Sequence, residues 1–133
     1  MKYITWENII RLLESLKREY KVYVPVRKGE ERFYKKFPGG DEDIIIGEVR
    51  PFEPVKAFFT RAREKVSDNF TDDVPHSDDR PFAIVGVKNC DLQQGFKVMD
   101  HVFGDHDYKD PFYLKNREEN LVISSDCTFA IDT

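Results

Sequence analysis

Two cysteines, Cys90 and Cys127, are the residues of this chain with the most chemistry to offer. Each closely follows an apolar run, Cys90 after residues 82–87 and Cys127 after residues 121–125. If both runs are strands of one parallel sheet, both thiols emerge at its carboxyl edge. Open α/β sheets bind their ligands at that edge. Cys90 would also stand near a helix N-terminus, where the dipole and free N–H groups favour a thiolate. In a reducing compartment two thiols serve as free thiols or metal ligands rather than as a structural staple. The competing reading is that each is a small buried core residue, as free cysteines often are. Their polar neighbours, Asn89 and Asp91 on one side and Asp126 and Thr128 on the other, speak against a purely core role. Both readings stay open at this point.

Other residue types offer less. Lys88 and Arg117 are candidate positive groups beside an anionic cluster or cofactor, with ordinary surface salt bridges as the alternative. His101, on or near the helix, and His106, in the loop after it, are metal-ligand types with Asp105 and Asp107, but nothing in the spacing fixes their geometry. His76 falls in an acidic loop and reads as solvated. A thiol enzyme using Cys90 as its nucleophile needs a nearby base. No histidine follows a strand end, so that reading ranks last. The sequence has no glycine-rich phosphate loop, Ser-His-Asp set or CxxC motif.

The elements that must position these groups can be read from periodicity. Thr5 can cap a helix over residues 6–19, with Trp6, Ile9, Ile10, Leu13, Leu16 and Tyr20 on one face. Residues 21–26 read as a strand with Pro25 near an edge or exit. A turn at 27–31 leads to a second strand at 32–37, and the Ile44-Ile45-Ile46 run places a third between Asp43 and Val49. Val55 to Val66 is helical, and residues 67–80 form an exposed acidic loop. The run 82–87 reads as a strand buried on both faces. A helix follows through Leu92, Phe96, Met99, Val102 and Phe103, capped by Asn89 or Asp91. A short helix over 112–120 precedes the last strand, a βαβ pattern whose two strands should be parallel neighbours or near-neighbours. The 133 residues make one domain, an α/β domain with a mixed, partly parallel sheet flanked by helices.

Composition narrows the partners. The net charge of −4 disfavours a phosphate-tracking surface, and hence nucleic acid. No apolar run reaches the roughly 18 residues of a membrane span. The first residues lack a signal-peptide pattern, so cytoplasmic residence is expected.

A family resemblance sharpens these expectations. The stretch Val85-Gly86-Val87-Lys88-Asn89-Cys90-Asp91-Leu92 is followed by Asp100 and Phe103. Then come Asp110-Pro111-Phe112-Tyr113, Asn116-Arg117-Glu118-Glu119-Asn120 and Cys127. This order resembles the beta subunit of cytoplasmic sulfhydrogenases and is similar to the related iron–sulfur subunit of anaerobic sulfite reductase. Pro54-Val55-Lys56-Ala57-Phe58-Phe59 resembles a further segment of that family. The likeness is weak over most of the chain and better over residues 85–127. Lys88-Asn89 stands where the family often has Arg-Pro, and Asn116-Arg117 where it has Arg-Arg.

The resemblance implies electron transfer between iron–sulfur clusters and a flavin-bearing or catalytic redox partner subunit. It implies that the chain is the amino-terminal domain of a larger protein, with a ferredoxin-like portion beyond residue 133. Cys90 and Cys127 would then be two ligands of a [4Fe–4S] cluster, which takes about four cysteines and is incomplete in these residues. The alternative is a docking domain of a redox complex with no cofactor of its own. Sulfurs sharing one concave edge would favour the first reading.

Overall fold

The computed structural model describes residues 4–40, 42–60, 80–105 and 109–128. Helix α1 spans Trp6–Leu16, and the Thr5 hydroxyl accepts from the Asn8 amide at 3.4 Å, as expected of a cap. It ends three residues earlier than its periodicity suggests. Leu13 is its buried residue, whereas Trp6 at its start is half exposed.

Strand β1, Lys21–Lys28, turns through Gly29 into the antiparallel β2, Glu31–Lys36. Strand β1 also pairs with β3, Asp43–Ile44, and with the parallel β4, Phe82–Val87. Strand β4 pairs in turn with the parallel β5, Leu121–Ser124. The sheet order is β2-β1-β4-β5, with β3 beside β1. This is the expected mixed sheet with its two late strands as parallel neighbours.

Pro25 corrects an expectation, because it lies inside β1 rather than at its exit. Odd-numbered residues of β1 turn their polar backbone groups away from β2: the Lys21 amide donates to the Pro81 carbonyl, and the Ile45 amide donates to the Pro25 carbonyl. Pairing to β4 ends at Tyr23, and pairing to β3 begins at Val26. The missing N–H of Pro25 therefore falls in the gap between two partner strands, where no ladder bond is lost.

The predicted long third strand also shortens. Only Asp43–Ile44 is strand, and Ile45 to Arg50 forms a loop closed by the Glu48 amide on the Ile45 carbonyl. Helix α2 is a single turn, Lys56–Phe59, and Thr60 is already extended. The rest of that predicted helix and nearly all of the predicted acidic loop lie outside the described residues.

Helical structure resumes at Asn89 and passes through a π-helical stretch, Asp91–Phe96, into α3, Lys97–Gly104. Neither Asn89 nor Asp91 acts as the predicted cap. Both lie within the helical stretch, and the Asp91 carboxylate is taken by Arg50 at 2.9 Å. Helix α4, Pro111–Glu119, is capped by Asp110, whose carboxylate accepts from the Phe112 and Tyr113 amides.

Two cores form on the two faces of the sheet. Val22, Val24, Val26, Ala83 and Val85 pack with Leu13 of α1 on one face. Tyr34, Phe82, Ile84 and Val87 pack with Phe59, Phe96, Met99 and Tyr113 on the other. Edge-to-face contacts of Phe59 with Phe82 and Phe96, at 5.2 and 4.8 Å, tie the second core together. Strand β4 is buried along its length, as its unbroken apolar run requires. Among the described residues no helix is long and apolar enough to cross a membrane.

Candidate functional site

Alternation along β4 would put Val87 on the α1 face with Ala83 and Val85. It packs instead on the opposite face with Phe82 and Ile84. The cause is a register shift against β5 between Val85 and Val87, where Gly86 adopts φ +82°. Such a bulge re-aims the residues beyond it. Only glycine suits this position, since a Cβ on Gly86 would meet the Pro25 ring at 2.8 Å.

The first residue beyond the bulged strand is Lys88, which is only 2% exposed and the one buried charged side chain among the described residues. Its ammonium donates to the Ile46 carbonyl at 2.5 Å and to the Ser125 hydroxyl at 2.9 Å. The Ser125 hydroxyl donates to the same Ile46 carbonyl at 2.6 Å. Three chain segments thus meet on one small polar triangle: the end of β4, the end of β5 and the loop after β3.

That loop also holds the segment carrying Cys127. The Thr128 amide and hydroxyl both donate to the Gly47 carbonyl at 2.9 Å. The Cys127 Sγ lies 4.0 Å from the Glu48 carbonyl. The Ser125 amide donates to the Val87 carbonyl, so β5 leaves the sheet still bonded to the end of β4.

Both cysteines are exposed, which excludes the reading that they are core residues. Burial lowers the pKa of Lys88, because an ammonium loses its hydration there. The negative charge that Cys127, Asp126, Cys90 and Glu48 can carry pulls the other way. Both thiols follow the carboxyl ends of the parallel neighbours β4 and β5, the edge at which the Lys88 ammonium is buried.

The rest of the rim is polar and paired. Glu48 receives Arg27 Nη1 on both oxygens at 2.8 Å. Arg50 is held above its ordinary range by its hydrogen bond to Asp91. Tyr34 of β2 faces the same end from the helix side. Its phenol is pushed up by burial, and further by Asp91, Cys90 and Glu53. Among the described residues the Tyr34 hydroxyl is buried without a hydrogen-bond partner.

Of the four residues singled out from sequence, three gather here and one does not. Cys90, Cys127 and Lys88 share the rim. Arg117 lies in the helix layer, where its Nε is 3.1 Å from Asp100 and its guanidinium stacks 4.5 Å from the Phe96 ring. That is the salt-bridge role anticipated as its alternative. His101 on α3 pairs loosely with Asp105 at 3.6 Å, both exposed, while His76, His106 and Asp107 lie outside the described residues. Ile46, Ser125 and Tyr34 were not singled out. A backbone acceptor leaves no sequence signal, and Ser125 gains meaning only once Lys88 is seen to reach it.

Thiolates are the ligands that iron–sulfur clusters take, and the two exposed cysteines would supply two of the about four that a [4Fe–4S] cluster needs. Among the described residues, no group of three or more His, Cys, Asp or Glu side chains is placed to hold a metal ion. No family model matches the chain, and no curated protein or solved structure matches it.

Proposed function

We propose that this chain is an iron–sulfur electron-transfer domain of a hydrogenase- or sulfite-reductase-type oxidoreductase complex. Cys90 and Cys127 supply two thiolate ligands, and about two further ligands of a [4Fe–4S] cluster come from polypeptide outside these residues. The observation that supports this reading is that two exposed thiols follow the carboxyl ends of the paired parallel strands β4 and β5, at the edge where Lys88 is buried. When bound, the cluster supplies the one-electron chemistry, and the domain supplies ligation, burial and electrostatic tuning. The chain is then an electron-transfer component rather than an enzyme by itself. Its partner is a flavin-containing or catalytic redox subunit in the cytoplasm.

Anaerobic expression with the natural downstream sequence and partner subunits tests this. Iron and acid-labile sulfide are measured in the wild type, Cys90→Ser and Cys127→Ser. Each substitution should lower both contents. Unchanged iron in both variants would remove the two cysteines as ligands.

A second reading, a docking domain without a cofactor, is favoured by the outer surfaces of α3 and α4. Val98, Val102, Phe112 and Leu114 are exposed there. Val98 and Val102, four residues apart, share one face of α3, and an exposed apolar face is the type of surface on which subunits associate. On this reading the complex assembles normally, and its iron content is indifferent to both cysteine substitutions.

A further inference from the structure

We propose that Lys88 is the positioning residue of the rim, its ammonium tying the Cys127 segment to the end of β4 so that both sulfurs can engage one thiophilic ligand. This rests on the reading that Cys90 and Cys127 act together, and it adds how they are brought together.

The chain gives the two cysteines no local connection. Cys90 rides on the helix that leaves β4, and Cys127 lies in the irregular segment that leaves β5. An irregular exit of this kind is held only by what its polar groups find. Here they find the end of β4 and the loop after β3: the Ser125 amide bonds Val87, Thr128 bonds Gly47 twice, and the Ser125 hydroxyl bonds Ile46. That loop is anchored to β4 through Lys88, whose ammonium takes the Ile46 carbonyl and the Ser125 hydroxyl together. One side chain, two residues before Cys90, thus reaches both the segment that contacts Cys127 and the strand end that precedes it.

Lysine fits this task. Its long stem is buried as apolar packing, and its head offers three donors in no fixed plane, so it can take two acceptors from different segments. A buried ammonium costs free energy that a methionine of similar shape would not. Packing alone would favour the apolar residue.

The test uses the reduced 133-residue chain and phenylarsine oxide. This reagent condenses with two thiols to a dithioarsonite, releasing one water and changing no oxidation state. Iodoacetamide, which alkylates one thiol at a time, is the control. In Lys88→Met the arsenical should bind about tenfold or more weakly, well beyond any change in the iodoacetamide rates, with no fall in melting temperature. A merely structural lysine would move the melting temperature and leave no such split between the reagents. Lys88→Arg should recover part of the affinity, and Cys127→Ser sets the single-thiol floor.

Arsenical affinity in a folded Lys88→Met variant within about twofold of wild type overturns the proposal. If Lys88→Met does not fold, Ser125→Ala takes its place. That variant should lose several-fold in affinity, and no loss overturns the proposal. A wild type already at the single-thiol floor would refute the joint role of the cysteines instead. The positioning role is then read from amide exchange. In Lys88→Met, Ser125 and Thr128 should exchange about tenfold faster while β4 is unchanged. Unchanged exchange at Ser125 and Thr128 overturns it.

Discussion

Two polar clusters in this molecule are built around a single cation, and they do different work. In the helix layer, Asp100 of α3 accepts from the Tyr113 hydroxyl at 2.5 Å and from Arg117, joining α3 to α4. Every member lies on one of two neighbouring helices, and the Asp100 and Arg117 side chains are more than a third exposed. At the rim, Lys88 is buried and its partners come from segments far apart in sequence, flanked by two thiols. The first cluster reinforces a seam that the Phe103 and Tyr113 rings also pack. The second adds a side-chain tie between chain ends that backbone bonds also join, Ser125 to Val87 and Thr128 to Gly47. A lysine and an arginine that look equivalent in sequence are therefore separated by burial and by the reach of their partners.

The comparison is broken most forcefully at the bulge. Gly86→Ala should cost about 1–2 kcal/mol for the left-handed backbone and about 1–3 kcal/mol for the clash with Pro25. Urea denaturation reads the sum. Adding Pro25→Ala should return the clash component, so the two substitutions will be strongly non-additive. Additive costs would mean that the ring and the bulge are not coupled, and that the rim does not depend on their fit.

The seam should respond more mildly. Tyr113→Phe leaves the ring in place and removes its bond to a half-exposed carboxylate, costing about 1–2 kcal/mol. Arsenical binding at the rim should be untouched, and a change there would show that the two clusters communicate.

Alkaline pH sharpens the same contrast. Burial holds the Tyr34 and Tyr113 phenols above their ordinary value, aided at Tyr113 by the bond to Asp100. Above about pH 10 the unfolded chain releases these protons while the folded chain keeps them. The folded state then binds more protons, so stability present below about pH 10 is lost as pH rises further. Urea midpoints on either side of that pH should fall with pH, and by less in either Tyr→Phe variant. An equal fall in both variants and the wild type would assign the alkaline loss to other groups.

The least damaging substitution, near zero or favourable, is Tyr34→Phe at neutral pH. The Tyr34 hydroxyl is buried without a partner among the described residues, so its removal relieves a desolvation cost of up to about 1–3 kcal/mol. A loss of more than about 1 kcal/mol in the urea experiment would reveal a bond to this hydroxyl.

Periodicity and punctuation carried much of the architecture. The apolar face of α1 with its Thr5 cap, the unbroken run of β4 and the parallel pairing of β4 with β5 all follow from local pattern. Local rules also explain the departures. Pro25 looked like an end because prolines avoid paired strands, yet it sits where β1 changes partners. Ile44-Ile45-Ile46 looked like a strand because β-branched residues favour one. Only Ile44 with Asp43 finds a partner strand, and Ile46 turns its carbonyl to a lysine.

By itself the sequence determined the fold class and the delivery of two thiols to one edge, because hydrophobic period and strand order are encoded locally. It did not decide which cation would lie buried at that edge. Lys88 and Arg117 differ in surroundings rather than in kind, and those surroundings are made by the Gly86 bulge and by a loop folded back from β3. Contacts between segments this distant depend on the register of the whole sheet. They therefore exist only in the assembled structure, which buries Lys88 against Ile46 and Ser125 and leaves Arg117 at a helix seam.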